Sequence, residues 1–130
     1  MHRRETEHTW GSRILLVEDS DELRDLMQLI LETEGYAVST ATTAEEGLDL
    51  LEREPYDLVV SDYALPGHTG IWLLREAVAR HLMPERQGII VTAHPQVRDA
   101  GSFPVLYKPL DFDRFLDEVR VHISCDDEGN

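Results

Sequence analysis

The chain has 130 residues and a formal net charge of −14, with 42% hydrophobic and 29% charged residues. That is enough chain for one domain with its own core, and so acidic a surface repels nucleic acid and anionic membranes while attracting divalent cations and basic partners. The single cysteine, Cys125, excludes an internal disulfide, which suits a cytoplasmic protein, and no apolar run approaches membrane-spanning length.

Residues 1–12 read as a flexible polar extension. Trp10 is its one candidate for packing, and His2 and His8 are expected in solvent. Ile14 to Val17 is a short apolar strand that runs directly into Glu18 and Asp19. Ser20 predicts a helix N-cap, with Asp21 and Glu22 favourably placed in the first turn. Leu23, Leu26, Met27, Ile30 and Leu31 form one apolar stripe, and Gly35 closes the helix. Tyr36 to Thr40 predicts a second strand. Thr43 to Glu46 is a capping-box pattern that opens a second helix, with Leu48 and Leu51 facing inward.

Asp57 to Gly70, DLVVSDYALPGHTG, is the centre of the chain. Its apolar run is β-branched and does not alternate, which predicts a parallel strand buried on both faces and ending at Asp62. Pro66, Gly67 and Gly70 break the regular structure after it. Ile71, Leu74 and Val78 mark a third helix that fades near His81 to Pro84. Ile89 to Val91 is a fourth strand ending at Thr92. Pro95 to Phe103 offers only Val97 and Ala100 as inward residues, so any helix there is barely more than one turn. Val105 to Tyr107 is a fifth strand ending at Lys108-Pro109. Asp111 to Ile123 is the last helix, and residues 124–130 read as a disordered acidic tail.

Strands separated by helices need crossover connections, which makes the sheet parallel and the fold a doubly wound α/β sandwich. All strand ends then share one edge. Glu18, Asp19, Asp62, Thr92 and Lys108 meet there, where open α/β sheets bind ligands. Each residue alone has a bland reading as a turn cap, a dipole-favourable acid or a surface charge. Nothing bland explains why all of them occupy strand ends. Two carboxylates about 5 Å apart repel by roughly 3 kcal/mol at an effective dielectric near 20. Three carboxylates and one lysine therefore call for a hard divalent cation, and Mg²⁺ fits a site with few protein carboxylates. Asp62 is then a plausible nucleophile toward phosphorus.

The motifs LLVEDS around Glu18-Asp19, LVVSDYALPGHTG around Asp62, IIVTA at Thr92 and YKPL at Lys108 together resemble the receiver domain of bacterial two-component response regulators. The resemblance covers residues 13–123. It implies a flavodoxin-like strand order 2-1-3-4-5, here with a shortened or missing fourth helix. It implies that Asp62 accepts a phosphoryl group from a sensor histidine kinase or phosphotransfer protein. Asp19, Glu18, Asp62 and the backbone carbonyl of Ala64 would hold Mg²⁺. Thr92 and Lys108 would contact the phosphoryl oxygens, and the Lys108-Pro109 bond would be cis. The chain would be a signalling phosphoacceptor rather than an enzyme, with only self-phosphorylation and slow self-dephosphorylation. It would bind a downstream protein without touching nucleic acid, and no output domain is expected within these residues.

The sequence departs from the family in three places. Glu18 stands where Asp is commoner. Val105 occupies the usual position of the aromatic switch residue. The stretch from Thr92 to Lys108 is short by roughly six residues, more than one helical turn. With the usual element missing, Thr92 to Val105, carrying Pro95, Gly101 and Pro104, is expected to be a flexible loop that orders on phosphorylation. The missing aromatic and the short fourth helix support a non-phosphorylated pseudo-receiver as the alternative. A haloacid-dehalogenase-like phosphatase would need a second Asp where Ala64 stands, and no nucleotide-binding glycine motif is present. His68 and His94 read as solvated loop residues that could tune water access to Asp62.

Overall fold

The computed structural model describes residues 11–94 and 96–128; Trp10, His2 and His8 lie outside this range. Five parallel strands form one sheet in the order β2-β1-β3-β4-β5. They are β1 (Arg13–Val17), β2 (Ala37–Ala41), β3 (Leu58–Asp62), β4 (Gly88–Thr92) and β5 (Val105–Tyr107). Four α-helices cover it: α1 (Asp21–Thr33), α2 (Ala44–Arg53), α3 (Gly70–Ala79) and α4 (Phe112–Glu128).

Alternation along the strands sorts the core into two layers. Leu15, Val17, Val59 and Ile90 pack with Leu48 and Leu51 of α2 and Ile71, Leu73 and Leu74 of α3. Ile14, Leu16, Val60, Ile89 and Val91 pack with Met27 and Leu31 of α1 and Phe115 and Val119 of α4. Strands buried on both faces cannot alternate in polarity, which is why β1, β3 and β4 read as continuous apolar runs.

The helix starts follow their caps. The Ser20 hydroxyl accepts from Leu23 N–H, the Thr43 hydroxyl from Glu46 N–H, and the Thr69 hydroxyl from Trp72 N–H. In the α2 box, Glu46 reaches back to Thr42 N–H at 2.9 Å. Gly35, at φ 98°, leaves α1 in the left-handed region that favours glycine.

Four expectations need correction. Leu26 is 43% exposed, because the inward face of α1 is the narrower line of Leu23, Met27 and Leu31. Gly70 does not break structure but is the first residue of α3. Phe103, absent from the expected inward residues, is buried with Ala100 in the α2/α3 layer. Residues 124–128, expected in a disordered tail, continue α4 to Glu128.

No helix lies between β4 and β5 among the described residues. The described residues of this stretch, 93–94 and 96–104, instead form an irregular strap, which Ala100 and Phe103 fix against the α2/α3 layer. Gly88 makes room for that ring. A Cβ there would lie 3.0 Å from Phe103 Cδ1 and 2.9 Å from Leu74 Cδ1.

Candidate functional site

The strand registers align the candidate residues. Val17 pairs with Ser61, Asp62 with Val91, and Thr92 with Tyr107. Glu18, Asp62, Thr92 and Lys108 therefore emerge along one sheet edge. The Lys108 ammonium donates to Asp62 Oδ2 at 3.0 Å and to Glu18 Oε1 at 3.3 Å. Glu18, Asp19 and Asp62 each offer a carboxylate oxygen, and these atoms lie within 4.8 Å of one another. Glu18 and Asp62 are buried, whereas Asp19 is exposed at the mouth of the pocket.

Two backbone donors that sequence reasoning missed shape the pocket. Ser20 N–H donates to Glu18 Oε2 at 3.1 Å, which holds the longer side chain inward. Ala64 N–H points at Asp62 Oδ1 at 3.4 Å. The Thr92 hydroxyl is buried and accepts from His94 N–H at 2.8 Å. The Lys108-Pro109 peptide is cis.

Gly70 was the least legible of these contributors. Its N–H donates to the Tyr63 carbonyl at 2.9 Å, closing the loop after β3. A Cβ there would sit 2.1 Å from the Asp62 carbonyl oxygen and 2.6 Å from Ser61 Oγ. The glycine thus lets α3 begin directly against the strand that carries Asp62. Both histidines are exposed loop residues, as expected, and each also makes one ring contact. His68 stacks on Trp72 at 3.7 Å between ring centroids, and His94 meets Tyr63 edge-on at 5.7 Å.

The electrostatics follow from burial. Glu18 is held above its ordinary carboxylate value of 4.5, first by desolvation and then by the charge of Asp62; Ser20 N–H and Lys108 act against this. For Lys108, desolvation is the largest single effect and favours the neutral amine. The bonds and charges of Asp62 and Glu18 outweigh it and raise the lysine above 10.5. Three carboxylates facing one ammonium leave the pocket net negative. The donors are all oxygen, so the site fits a hard divalent cation.

The model of the response regulator receiver domain matches residues 14–120. The chain belongs to the receiver-domain family of response regulators. Over 114 residues this receiver is 40% identical to the transcriptional regulatory protein GlrR of Escherichia coli K12, covering 83% of the chain but 25% of GlrR. It thus spans about a quarter of that relative's length. A CheY-like receiver structure from Methanospirillum hungatei is 30% identical with a TM-score of 0.82, covering 92% of this chain and 99% of that one. The receiver also resembles the response regulator TrrA of Thermotoga maritima, solved in complex with Mg²⁺-BeF. That structure is 29% identical with a TM-score of 0.73, covering 85% of this chain and 98% of that one. Receiver domains are signalling modules of two-component systems. Among the described residues no helix is long and apolar enough to cross a membrane.

Proposed function

We propose that Asp62 is the phosphoacceptor of this receiver, in a Mg²⁺-dependent reaction with a sensor histidine kinase or phosphotransfer protein of the cytoplasm. An Asp62 carboxylate oxygen attacks the phosphorus of a phosphohistidine. The O–P bond forms as the P–N bond breaks, and the electron pair returns to the imidazole. The product is an acyl phosphate, and its hydrolysis restores Asp62 and releases inorganic phosphate. The observation that carries this reading is the buried Asp62 carboxylate, 3.0 Å from Lys108 Nζ and clustered with two further carboxylates.

Glu18, Asp19, Asp62 and the Ala64 carbonyl are the groups that would hold Mg²⁺. When bound, Mg²⁺ supplies charge neutralisation for the incoming phosphoryl oxygens. Lys108 stays protonated and pairs with a phosphoryl oxygen, exchanging part of its contact with Asp62. Thr92 accepts from His94 N–H and so keeps its own hydroxyl proton to donate to the phosphoryl group. The switch in partner binding runs through this residue and the strap behind it.

The test is intact mass after incubation with acetyl phosphate, with and without Mg²⁺, on wild type and Asp62→Ala. One Mg²⁺-dependent phosphoryl adduct, absent in Asp62→Ala, is expected. That no helix lies between β4 and β5 among the described residues favours a second reading, a pseudo-receiver that binds partners without phosphorylation. Wild type that binds Mg²⁺ but shows no adduct, even on rapid quenching, would replace the first reading with the second.

A further inference from the structure

The strap leaves a hollow of about 260 Å³ against α3. Val78 and Ala79 of α3 and Ala100 and Phe103 of the strap give it apolar walls, and Arg75, Glu85 and Gly101 complete the lining. Gly101 stands at φ 64°, and the atom nearest to where its Cβ would lie is Arg75 Nη2, at 3.8 Å. The guanidinium therefore lies beside this bend of the strap. Glu85 opens the 3₁₀ turn Glu85–Gln87 that leads into β4.

Two opposite charges thus border one apolar hollow, and the strap holds both. Arg75 donates to the Asp99 carbonyl, and Glu85 accepts from the Ser102 hydroxyl. Asp99 and Ser102 are three residues apart, at most about 11 Å of chain, so the charges bracket one short bend. Yet they do not pair with each other, and neither makes an ion pair among the described residues. A guanidinium has five N–H donors and a carboxylate several acceptor sites, so one bond to the strap leaves each able to hold a ligand.

We propose that this hollow binds a free apolar α-amino acid, with its carboxylate on Arg75, its ammonium on Glu85 and its side chain among Val78, Ala79, Ala100 and Phe103. Small-molecule sites have this composition, mostly apolar with a few fixed polar groups. Volume sets the size. The hollow falls below the roughly 300–1,000 Å³ of ordinary ligand pockets, which excludes nucleotide-sized groups and suits an amino acid. The paired charges set the class. A simple carboxylate would answer Arg75 but leave Glu85 facing a like charge, and a simple amine would do the reverse. A zwitterion answers both, and a guanidinium fork matches a carboxylate. The surroundings admit the carboxylate as well. Residues 70–104 carry four arginines against three acids, in a chain whose net charge is −14.

The probe is L-leucine, titrated by calorimetry into the full chain without Mg²⁺ or a phosphoryl donor. Failure here therefore leaves the Asp62 reading untouched. Saturable one-to-one binding is expected, with slower amide exchange at 99–103. Two analogues each lack one charge: 4-methylpentanoate has no ammonium, and 3-methylbutylamine has no carboxylate. Each should bind at least tenfold more weakly than leucine. Glu85→Gln keeps an acceptor for Ser102 but removes the charge. It should weaken leucine at least tenfold and leave 4-methylpentanoate no weaker than in wild type. Ala79→Trp, at an exposed position, fills the hollow and should remove binding while circular dichroism shows the fold retained. No binding at millimolar leucine, or binding indifferent to Ala79→Trp, would overturn the proposal. So would either analogue binding as tightly as leucine, which would assign the hollow to a simple carboxylate or amine instead.

Discussion

On the β1–β3 side of Asp62, helices cover both faces of the sheet, and at two glycines they approach it or each other with almost no tolerance. Gly47 lies against Val17 and Leu73, and Gly70 lies against the Asp62 carbonyl. On the β4–β5 side, α4 covers one face, but the other is covered by the strap. Phe103 and Ala100 supply the burial there. The strap is tied down by the Arg75 guanidinium on the Asp99 carbonyl and by the Ser102 hydroxyl on Glu85. The contrast teaches where this fold can lose an element. A helix whose task is to cover apolar surface can be replaced by one well-seated aromatic ring. A helix start that must touch the strand carrying Asp62 has no substitute. The β1–β3 side also holds the carboxylates Glu18, Asp19 and Asp62, while Thr92 lies on the side with the strap.

Gly70→Ala strikes the rigid side hardest. Its methyl group has no room against the Asp62 carbonyl. The expected loss is about 4 kcal/mol or more by urea denaturation, in the upper tail for single substitutions. An unchanged midpoint would mean that α3 can shift away from β3, and the contrast between the sides would fail.

Phe103→Ala strikes the strap. Truncating this buried ring should cost about 3 kcal/mol. Amides of 93–104 should exchange faster, while those of β1 and β3 keep their rank as the slowest. Equal acceleration in β1 and β3 would show one cooperative unit rather than two unequal sides.

The charge cluster joins the two sides, and pH tests that joint. Glu18 has a folded value above 4.5, so folding takes up a proton there. Its effect on the metal-free chain is a loss of stability as pH rises from 4.5 through the folded value. In Glu18→Gln that slope is absent, so the variant should gain on wild type across this window. Lys108 has the opposite consequence. Its value is raised above 10.5, so its stabilisation is complete below 10.5 and is lost only as pH climbs through the higher folded value. Urea midpoints of both proteins from pH 4 to 8 check the first claim, and parallel curves would refute it. Mg²⁺ should shrink the difference by favouring the carboxylate over the acid.

The legible parts were those in which one residue type has one physical job. Parallel strands announced themselves as unbroken apolar runs, and Ser20 and Thr43 announced helix starts. Strand ends placed Glu18, Asp19, Asp62, Thr92 and Lys108 on one edge before any coordinates. The illegible parts depend on distance in space. Phe103 lies between Ser102 and Pro104 with no periodic neighbours, and Gly88, distant along the chain, makes room for its ring. Gly70 reads as a breaker because its role is proximity to the Asp62 carbonyl. Leu26 falls on a helical stripe that is wider than the surface α1 covers.

Arg75 gives the smallest and sharpest test of the strap. It is exposed on α3 and donates from its guanidinium to the Asp99 carbonyl, so it binds strap to helix without burying apolar surface. Arg75→Met keeps an unbranched apolar stem on the helix and deletes the bond. The global cost should stay below about 1.5 kcal/mol, the ordinary net worth of one hydrogen bond. Exchange at 99–103 should nonetheless rise several-fold, because local opening of the strap loses one of its ties while the core under Phe103 is intact. If exchange there is unchanged, Phe103 alone holds the strap. The side facing β5 would then be fixed by apolar packing, as the β1–β3 side is.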